Sequence, residues 1–257
     1  MRVDTLPIAL QRFLQNTSWQ ADTLGMSSAQ TYRVSGQENF YVKIDSVTNV
    51  GGLQKEAQAL TWLRTYLPAP EVVFYERIDG IDYMLIREIP GLPASADYWA
   101  SNPRQLVETL AESMLALHSL DIATCPFDQR TSTKLQEVAQ YVQLGLVDTD
   151  DFEPEHSGQT PEHMLERLYA EQPEQDDLVV THGDFCLPNL LLTNWRLSGF
   201  IDVGSLGVGD RYQDLALCAR SLSQNLGTDQ YHSLFLTLMD CHFRTNVSYT
   251  IFVCWTS

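Results

Sequence analysis

The period of hydrophobic and polar positions changes twice along the 257-residue chain. Residues 1–25 give a short amphipathic helix and a loop. From Thr31 the residues alternate, and TYRVSG and ENFYVKID predict two strands joined at Ser35–Gly36. In the second strand Phe40, Val42 and Ile44 share one face and Tyr41 and Lys43 the other, because strand side chains alternate. QKEAQALTWLRTY at 54–66 has helical spacing and good helix formers, and Pro68 and Pro70 end the run. EVVFYERI and YMLIREI then predict two more strands around an Asp79–Gly80 turn. The first part of the chain therefore reads β-β-α-β-β.

After Pro90–Gly91 the period becomes helical. A strong helix is expected over 104–119, and weaker ones near 132–143 and 160–171 with an acidic loop between them. VVTHGDFCLPNLLL and LSGFIDVG are short apolar stretches broken by polar loops, and helix returns over 211–226 and 229–240. This is an α+β chain of two lobes, a β-rich one over 1–89 and a helical one over 90–257. Such a division suggests a cleft between lobes, where ligands often bind.

Composition narrows the class. The formal charge of -17 repels nucleic acid backbones and anionic membranes, so neither is expected as a partner. Taken alone, the charge is that of an ordinary acidic soluble protein. The five cysteines are odd in number and contain no CxxC pair, which supports neither a disulfide framework nor a zinc site. The start MRVDTLPIALQRFLQ lacks the pattern of a signal peptide, and no apolar run reaches membrane-spanning length. A cytoplasmic protein is the expectation.

The chemistry concentrates in His182-Gly183-Asp184, then Asn189 five residues after Asp184, then Ile201-Asp202. Both acids end apparent strands inside apolar flanks, where an unpaired charge is costly. A divalent cation and a hydroxyl substrate would supply partners. Mg²⁺ takes one or two protein oxygens together with phosphate oxygens, a role that suits Asn189 and Asp202. Asp184 is then left to accept a hydroxyl proton. There is no GxxxxGK[ST], which excludes a Walker-type phosphate loop.

H-G-D-x-x-x-x-N followed by I-D-x-G resembles the catalytic and metal-binding loops of the aminoglycoside phosphotransferase and choline kinase group, distant relatives of protein kinases. HGDFCLPN, GFIDVG and GDRYQDLAL together resemble the aminoglycoside kinases more than choline, homoserine or fructosamine kinases, the chain looks like an aminoglycoside 3'-phosphotransferase, and the similarity spans roughly residues 1–238. The resemblance implies a bilobal protein-kinase-like fold that uses ATP and Mg²⁺ to phosphorylate an aminoglycoside hydroxyl, the 3'-hydroxyl, and so confers resistance. It implies that Ser27 and Ser28, in a turn over the nucleotide, offer backbone donors to its phosphates. It implies likewise that Lys43 contacts the α- and β-phosphates, that Glu56 holds Lys43, and that backbone groups around Arg87 and Ile89 bind adenine. By the same resemblance Asp184 would be the catalytic base, with Asn189 and Asp202 on the metal. Asp148, Asp151 and Glu153 would line a pocket for protonated amines, with Arg220 near these acids. The chain's net charge would help capture such a cation, mainly through the on-rate. A monomer or weak dimer is expected.

Two departures stand out. Ser205 occupies the position after I-D-x-G where the resembled family commonly has arginine. The chain also ends CHFRTNVSYTIFVCWTS, an acid-free apolar run where those relatives carry a Leu-Leu-Asp-Glu-Phe-Phe-like helix. Reading from the third base of the Tyr249 codon, with permitted codons, turns YTIFVCWTS into Tyr-Tyr-Phe-Cys-Leu-Leu-Asp-Glu, which points to a frameshift before Tyr249, with divergence beginning near Met239–Asp240. Two alternatives stay open: another small-molecule kinase of the same fold, and a nucleotide-binding remnant impaired by its tail.

Overall fold

A computed structural model describes residues 6–22, 29–46, 52–147 and 158–241. The chain divides into two compact units, Met1–Gly91 with Ser198–Gly204, and Leu92–Leu197 with Ser205–Ser257. Ser198–Gly204, which contains Asp202, packs with the first unit, whereas the sequence pattern assigned it to the second lobe. Local periodicity does not reveal that the chain returns to an earlier unit.

The first unit holds a short helix α1 (Ile8–Gln11) and five strands: β1 (Ser18–Asp22), β2 (Gln30–Ser35), β3 (Phe40–Ser46), β4 (Val72–Ile78) and β5 (Ile81–Arg87). They form one sheet in the order β1-β2-β3-β5-β4, antiparallel throughout. Strand β1 corrects the expectation of a loop before residue 25. SWQAD is a polar edge strand without a buried residue, so it carries no alternating apolar signal. Asp79 and Gly80 both have positive φ, as a two-residue hairpin turn requires, and they join β4 to β5.

The period of two sends the β3 side chains to opposite faces. Phe40, Val42 and Ile44 enter a core with Leu6, Leu10, Leu14, Val34 and Leu85. The other face receives helix α2 (Gly52–Leu63), which packs on β3, β4 and β5. Leu53, Ala57, Leu60 and Leu63 are buried at helical spacing on α2, and Glu56 shares their side. Each buried leucine contributes about 1.5–3 kcal/mol. The start of α2 is fixed by Asp82, fully buried on β5. Its carboxylate accepts from Arg77 Nε at 2.6 Å, Arg77 Nη2 at 2.9 Å and the Tyr75 hydroxyl at 2.9 Å, as well as the backbone of Leu53. Burial pushes the Asp82 carboxyl up, but Arg77 and Tyr75 outweigh it and hold its pKa below the ordinary range.

The second unit contains β6 (Leu92–Pro93), α3 (Pro103–His118), α4 (Thr131–Leu144), α5 (Pro161–Glu171), β7 (Leu178–Thr181), β8 (Leu190–Thr193), β9 (Arg196–Phe200, whose end enters the first unit), β10 (Gly207–Asp210), α6 (Arg211–Leu226) and α7 (His232–Leu238). The Asn102, Thr160 and Asp210 side chains cap α3, α5 and α6, with proline at the first helical position of α3 and α5. Leu106, Leu110, Met114 and Leu117 of α3 are fully buried, and this helix packs with α6, α7 and β7. Leu135, Val138, Met164 and Leu168 join α4 to α5. Strands β7 and β10 pair antiparallel, and the short β10 was not foreseen, since Gly-Val-Gly-Asp offers almost no strand signal. Among the described residues no helix is long and apolar enough to cross a membrane.

Candidate active site

In the second unit, buried β7 delivers the chain into His182-Gly183-Asp184. This turn is clamped by the first turn of α6. The fully buried Asp214 accepts from the backbone N–H of His182 at 2.8 Å and of Gly183 at 3.0 Å. His118 Nε2 on α3 lies 3.1 Å from the same carboxylate. Gln213 donates its amide to the Gly183 carbonyl at 2.9 Å. Gly183 has φ +83, and a Cβ there would overlap the carbonyl of Ser205, so the position excludes any side chain on two counts.

Asp184 leaves this clamp partly exposed. Asn189 Nδ2 donates both to the Asp184 carbonyl, at 3.0 Å, and to its carboxylate, at 2.7 Å. One amide thus fixes the backbone and the side chain of the acid together, and the Asn189 carbonyl oxygen is the group it has left to offer. Downstream, the Leu187 N–H donates to the Ser221 hydroxyl on α6 at 2.9 Å. Arg220 lies on the same helix. Burial and then the Asp184 charge push the Cys186 thiol up, with Arg220 opposing, which puts both charges near that sulfur.

In the first unit, Lys43 Nζ donates to Glu56 at 2.7 Å and also to Asp202. The lysine and glutamate side chains are nearly covered, at 12% and 8% exposure, whereas Asp202 is half exposed at 49%. Burial lowers the Lys43 pKa, but the charges of Glu56 and Asp202 outweigh it and raise it above the ordinary lysine range. Asp202 has φ +55, a conformation uncommon outside glycine and tolerated by aspartate. Its segment is tied down by the Phe200 N–H on the Pro68 carbonyl at 3.0 Å and by the Ser198 hydroxyl on the Pro90 carbonyl.

Arg87 spends its side chain on Glu38 at 2.6 Å and Glu71 at 3.0 Å, and its backbone N–H on the Glu71 carbonyl at 2.9 Å. That N–H is therefore committed within the sheet. The Ile89 side chain abuts Gly199 so closely that a Cβ there would overlap it. Ser27, Ser28, Asp148, Asp151 and Glu153, like the C-terminal tail from 242 onward, lie outside the described residues. Sequence reasoning gave Asp214 no role, although GDRYQDLAL contains it. An acid in the first turn of a helix reads as a surface residue favoured by the helix dipole, so no sequence signal singled it out.

Among the described residues no three His, Cys, Asp or Glu side chains are arranged to hold a metal ion. Each of the two expected metal-binding residues offers single oxygens within its own unit: the Asn189 carbonyl in the second, the half-exposed Asp202 carboxylate in the first. Hard oxygen donors of this kind suit Mg²⁺ bound largely through phosphate.

A carboxylate fixed by its own loop and, separately, a lysine held by two carboxylates are groups of the kind a phosphotransferase uses, and the chain belongs to the phosphotransferase enzyme family, matched over residues 19–237. Within it, the chain is similar to the aminoglycoside 3'-phosphotransferases. It is 35% identical to that of Niallia circulans over 90% of this chain and 89% of the relative. It is 38% identical to that of Streptomyces fradiae over 83% of each. Its structure resembles the crystal structure of aminoglycoside-3'-phosphotransferase of type VIII with a TM-score of 0.85 and 29% identity, over 98% of this chain and 97% of the other. The fold also matches aminoglycoside phosphotransferase APH(3'')-Id from Streptomyces rimosus in complex with ADP and streptomycin, with a TM-score of 0.77 at 23% identity over 96% of both chains.

Proposed function

We propose that the chain is an ATP-dependent kinase that phosphorylates a hydroxyl, the 3'-hydroxyl, of an aminoglycoside antibiotic and so confers resistance. The observation that carries this reading is Asp184, a partly exposed carboxylate fixed through its own carbonyl and side chain by Asn189 at 3.0 and 2.7 Å. Its loop is fixed in turn by Asp214 and Gln213. A general base must be held within hydrogen-bond reach of the proton it takes, and this one cannot swing away. The similarity to aminoglycoside 3'-phosphotransferases supplies the substrate class.

In this reading Asp184 accepts the hydroxyl proton and aligns the oxygen. Lys43, held protonated by Glu56, steadies the nucleotide phosphates, and Asn189 and Asp202 offer oxygens to Mg²⁺. A cation held there would neutralise charge on the phosphate oxygens. Backbone groups about Ile89 take the adenine, the Ser27–Ser28 turn covers the phosphates, and Asp148, Asp151 and Glu153, with Arg220 beside them, receive the substrate amines. Most of the rate enhancement then comes from positioning and charge stabilisation. The enzyme acts in the cytoplasm as a monomer or weak dimer.

The test is a coupled ADP assay with a panel of acceptors, aminoglycosides beside amino alcohols and simple sugars. Turnover confined to aminoglycosides supports the reading. Turnover only with another class, or ADP release that no acceptor stimulates, contradicts it.

A further inference from the structure

Helix α4 carries a side chain that the reaction as described does not use. Lys134 is 2% exposed, and its Nζ has no hydrogen-bond partner among the described residues. It sits on the buried stripe of α4 with Thr131, Leu135 and Val138. Leucine or methionine there would pack at no electrostatic cost, whereas an unpartnered ammonium is expensive. That expense calls for a reason.

The chain path places the lysine beside the catalytic loop. The Gln129 N–H donates to the Val208 carbonyl at 2.8 Å, and the Val208 N–H donates to the Phe127 carbonyl at 2.9 Å. The segment entering α4 is thereby laced to β10, whose partner β7 delivers His182-Gly183-Asp184. Asp176 fixes the first residue of the helix, taking the Thr131 N–H at 3.0 Å and its hydroxyl at 2.6 Å. Lys134 follows one turn later. Three acids act on its charge: Asp214 from α6, Glu137 from α4 itself and Asp184 from the loop, while His118 of α3 bears on Asp214.

We propose that Lys134 is a positioning residue for phosphoryl transfer, a buried cation that balances Asp184 against Asp214 and so keeps the catalytic loop in place. This rests on the reading of Asp184 as the group that takes the hydroxyl proton. Without the cation, two carboxylates belonging to one loop and its clamp repel each other through a poorly solvated interior. Burial lowers the Lys134 pKa to about 8, against the pull of Asp214, Glu137 and Asp184. The balancing charge is therefore present at neutral pH and lost in mildly alkaline solution, which a merely structural lysine would not report in kcat.

The experiment uses the full chain with Lys134→Met and Lys134→Arg, and Lys134→Gln should the methionine variant fail to fold. It reads kcat and KM for ATP and kanamycin from pH 6.5 to 9.5, together with amide hydrogen exchange at His182 and Gly183. Expected for Lys134→Met is a kcat at least about tenfold lower with KM for ATP within about twofold. Exchange at both amides should be about tenfold faster or more. Lys134→Arg should restore both and lose the fall in kcat that the parent shows above about pH 8, because guanidinium stays charged. Unchanged kcat and unchanged exchange in Lys134→Met overturns the proposal, and so does an arginine variant as impaired as the methionine one. If the parent turns over no aminoglycoside of the panel, the functional reading fails on its own and exchange decides. Faster exchange reversed by arginine supports the positioning role, and unchanged exchange removes it.

Discussion

Two lysines among the described residues have nearly covered side chains, Lys43 and Lys134, and their surroundings are opposite. Lys43 in the first unit is paired twice, with Glu56 and Asp202, and its pKa is raised. Lys134 in the second unit has no hydrogen-bond partner among the described residues, and its pKa is lowered to about 8. A paired cation is a fixed charge that nothing in the physiological range will titrate. An unpartnered one is retained at a cost to stability, which makes sense where its charge acts at a distance on a neighbour. The contrast teaches that burial alone does not set the behaviour of a lysine. The number of acids that touch it, rather than merely face it, decides.

The largest break in the contrast is on the paired side. Lys43→Ala should lower kcat/KM for ATP by about 10²–10³, the range found when a charge-stabilising donor is removed. Initial rates at varied ATP check this, and a loss below threefold would mean that Lys43 does not touch the phosphates. Removing its holder is milder. Glu56→Gln keeps a hydrogen-bond acceptor and leaves Asp202 in place, so a loss of about tenfold is expected, carried by KM for ATP more than by stability.

Stability against pH sharpens the comparison further. The raised pKa of Lys43 means that its contribution is full below the unfolded lysine value and is lost only as pH climbs through the still higher folded value. Lys134 has the opposite sign. Its folded pKa of about 8 lies below the unfolded value, so the unfolded chain binds more protons between the two and stability rises with pH there. The parent should gain roughly 2–3 kcal/mol relative to Lys134→Met between pH 7 and pH 10. Denaturant midpoints at the two pH values measure it, and parallel curves would mean that Lys134 titrates normally. The smallest effect belongs to the exposed pair of Arg87 and Glu38. Glu38→Ala should change stability by no more than about 1 kcal/mol, with activity intact, which thermal melts and the ADP assay check together.

The two regions also differ in how much of them the sequence disclosed. The face carrying Phe40, Val42 and Ile44 was legible because strand alternation is strong there, and Lys43 followed as the polar member of the other face. The helix bearing Glu56 was equally plain, but its pairing with Lys43, here at 2.7 Å, was expected from the family resemblance, because periodicity alone leaves Lys43 as a solvent-facing edge lysine. The contact of Lys43 with Asp202 was not legible. It joins residues 159 apart, through a segment that re-enters the first unit after a long excursion. In the second unit the His182-Gly183-Asp184 and Asn189 spacing pointed to the loop, but not to what holds it. Asp214 and Lys134 sit inside ordinary helical patterns, where a charged residue reads as solvent-facing until packing shows otherwise. Strand β1 escaped for the converse reason, having no buried residue to mark it.

The most direct test of the account is phosphate transfer from ATP to kanamycin by the parent chain and by Asp184→Ala, with the phosphorylated product identified by mass. The account predicts one added phosphate with the parent and a rate about 10²–10⁴ lower with the variant, whose fold is unchanged. Equal rates in the two proteins would contradict it, because the fixed carboxylate would then have no part in the chemistry.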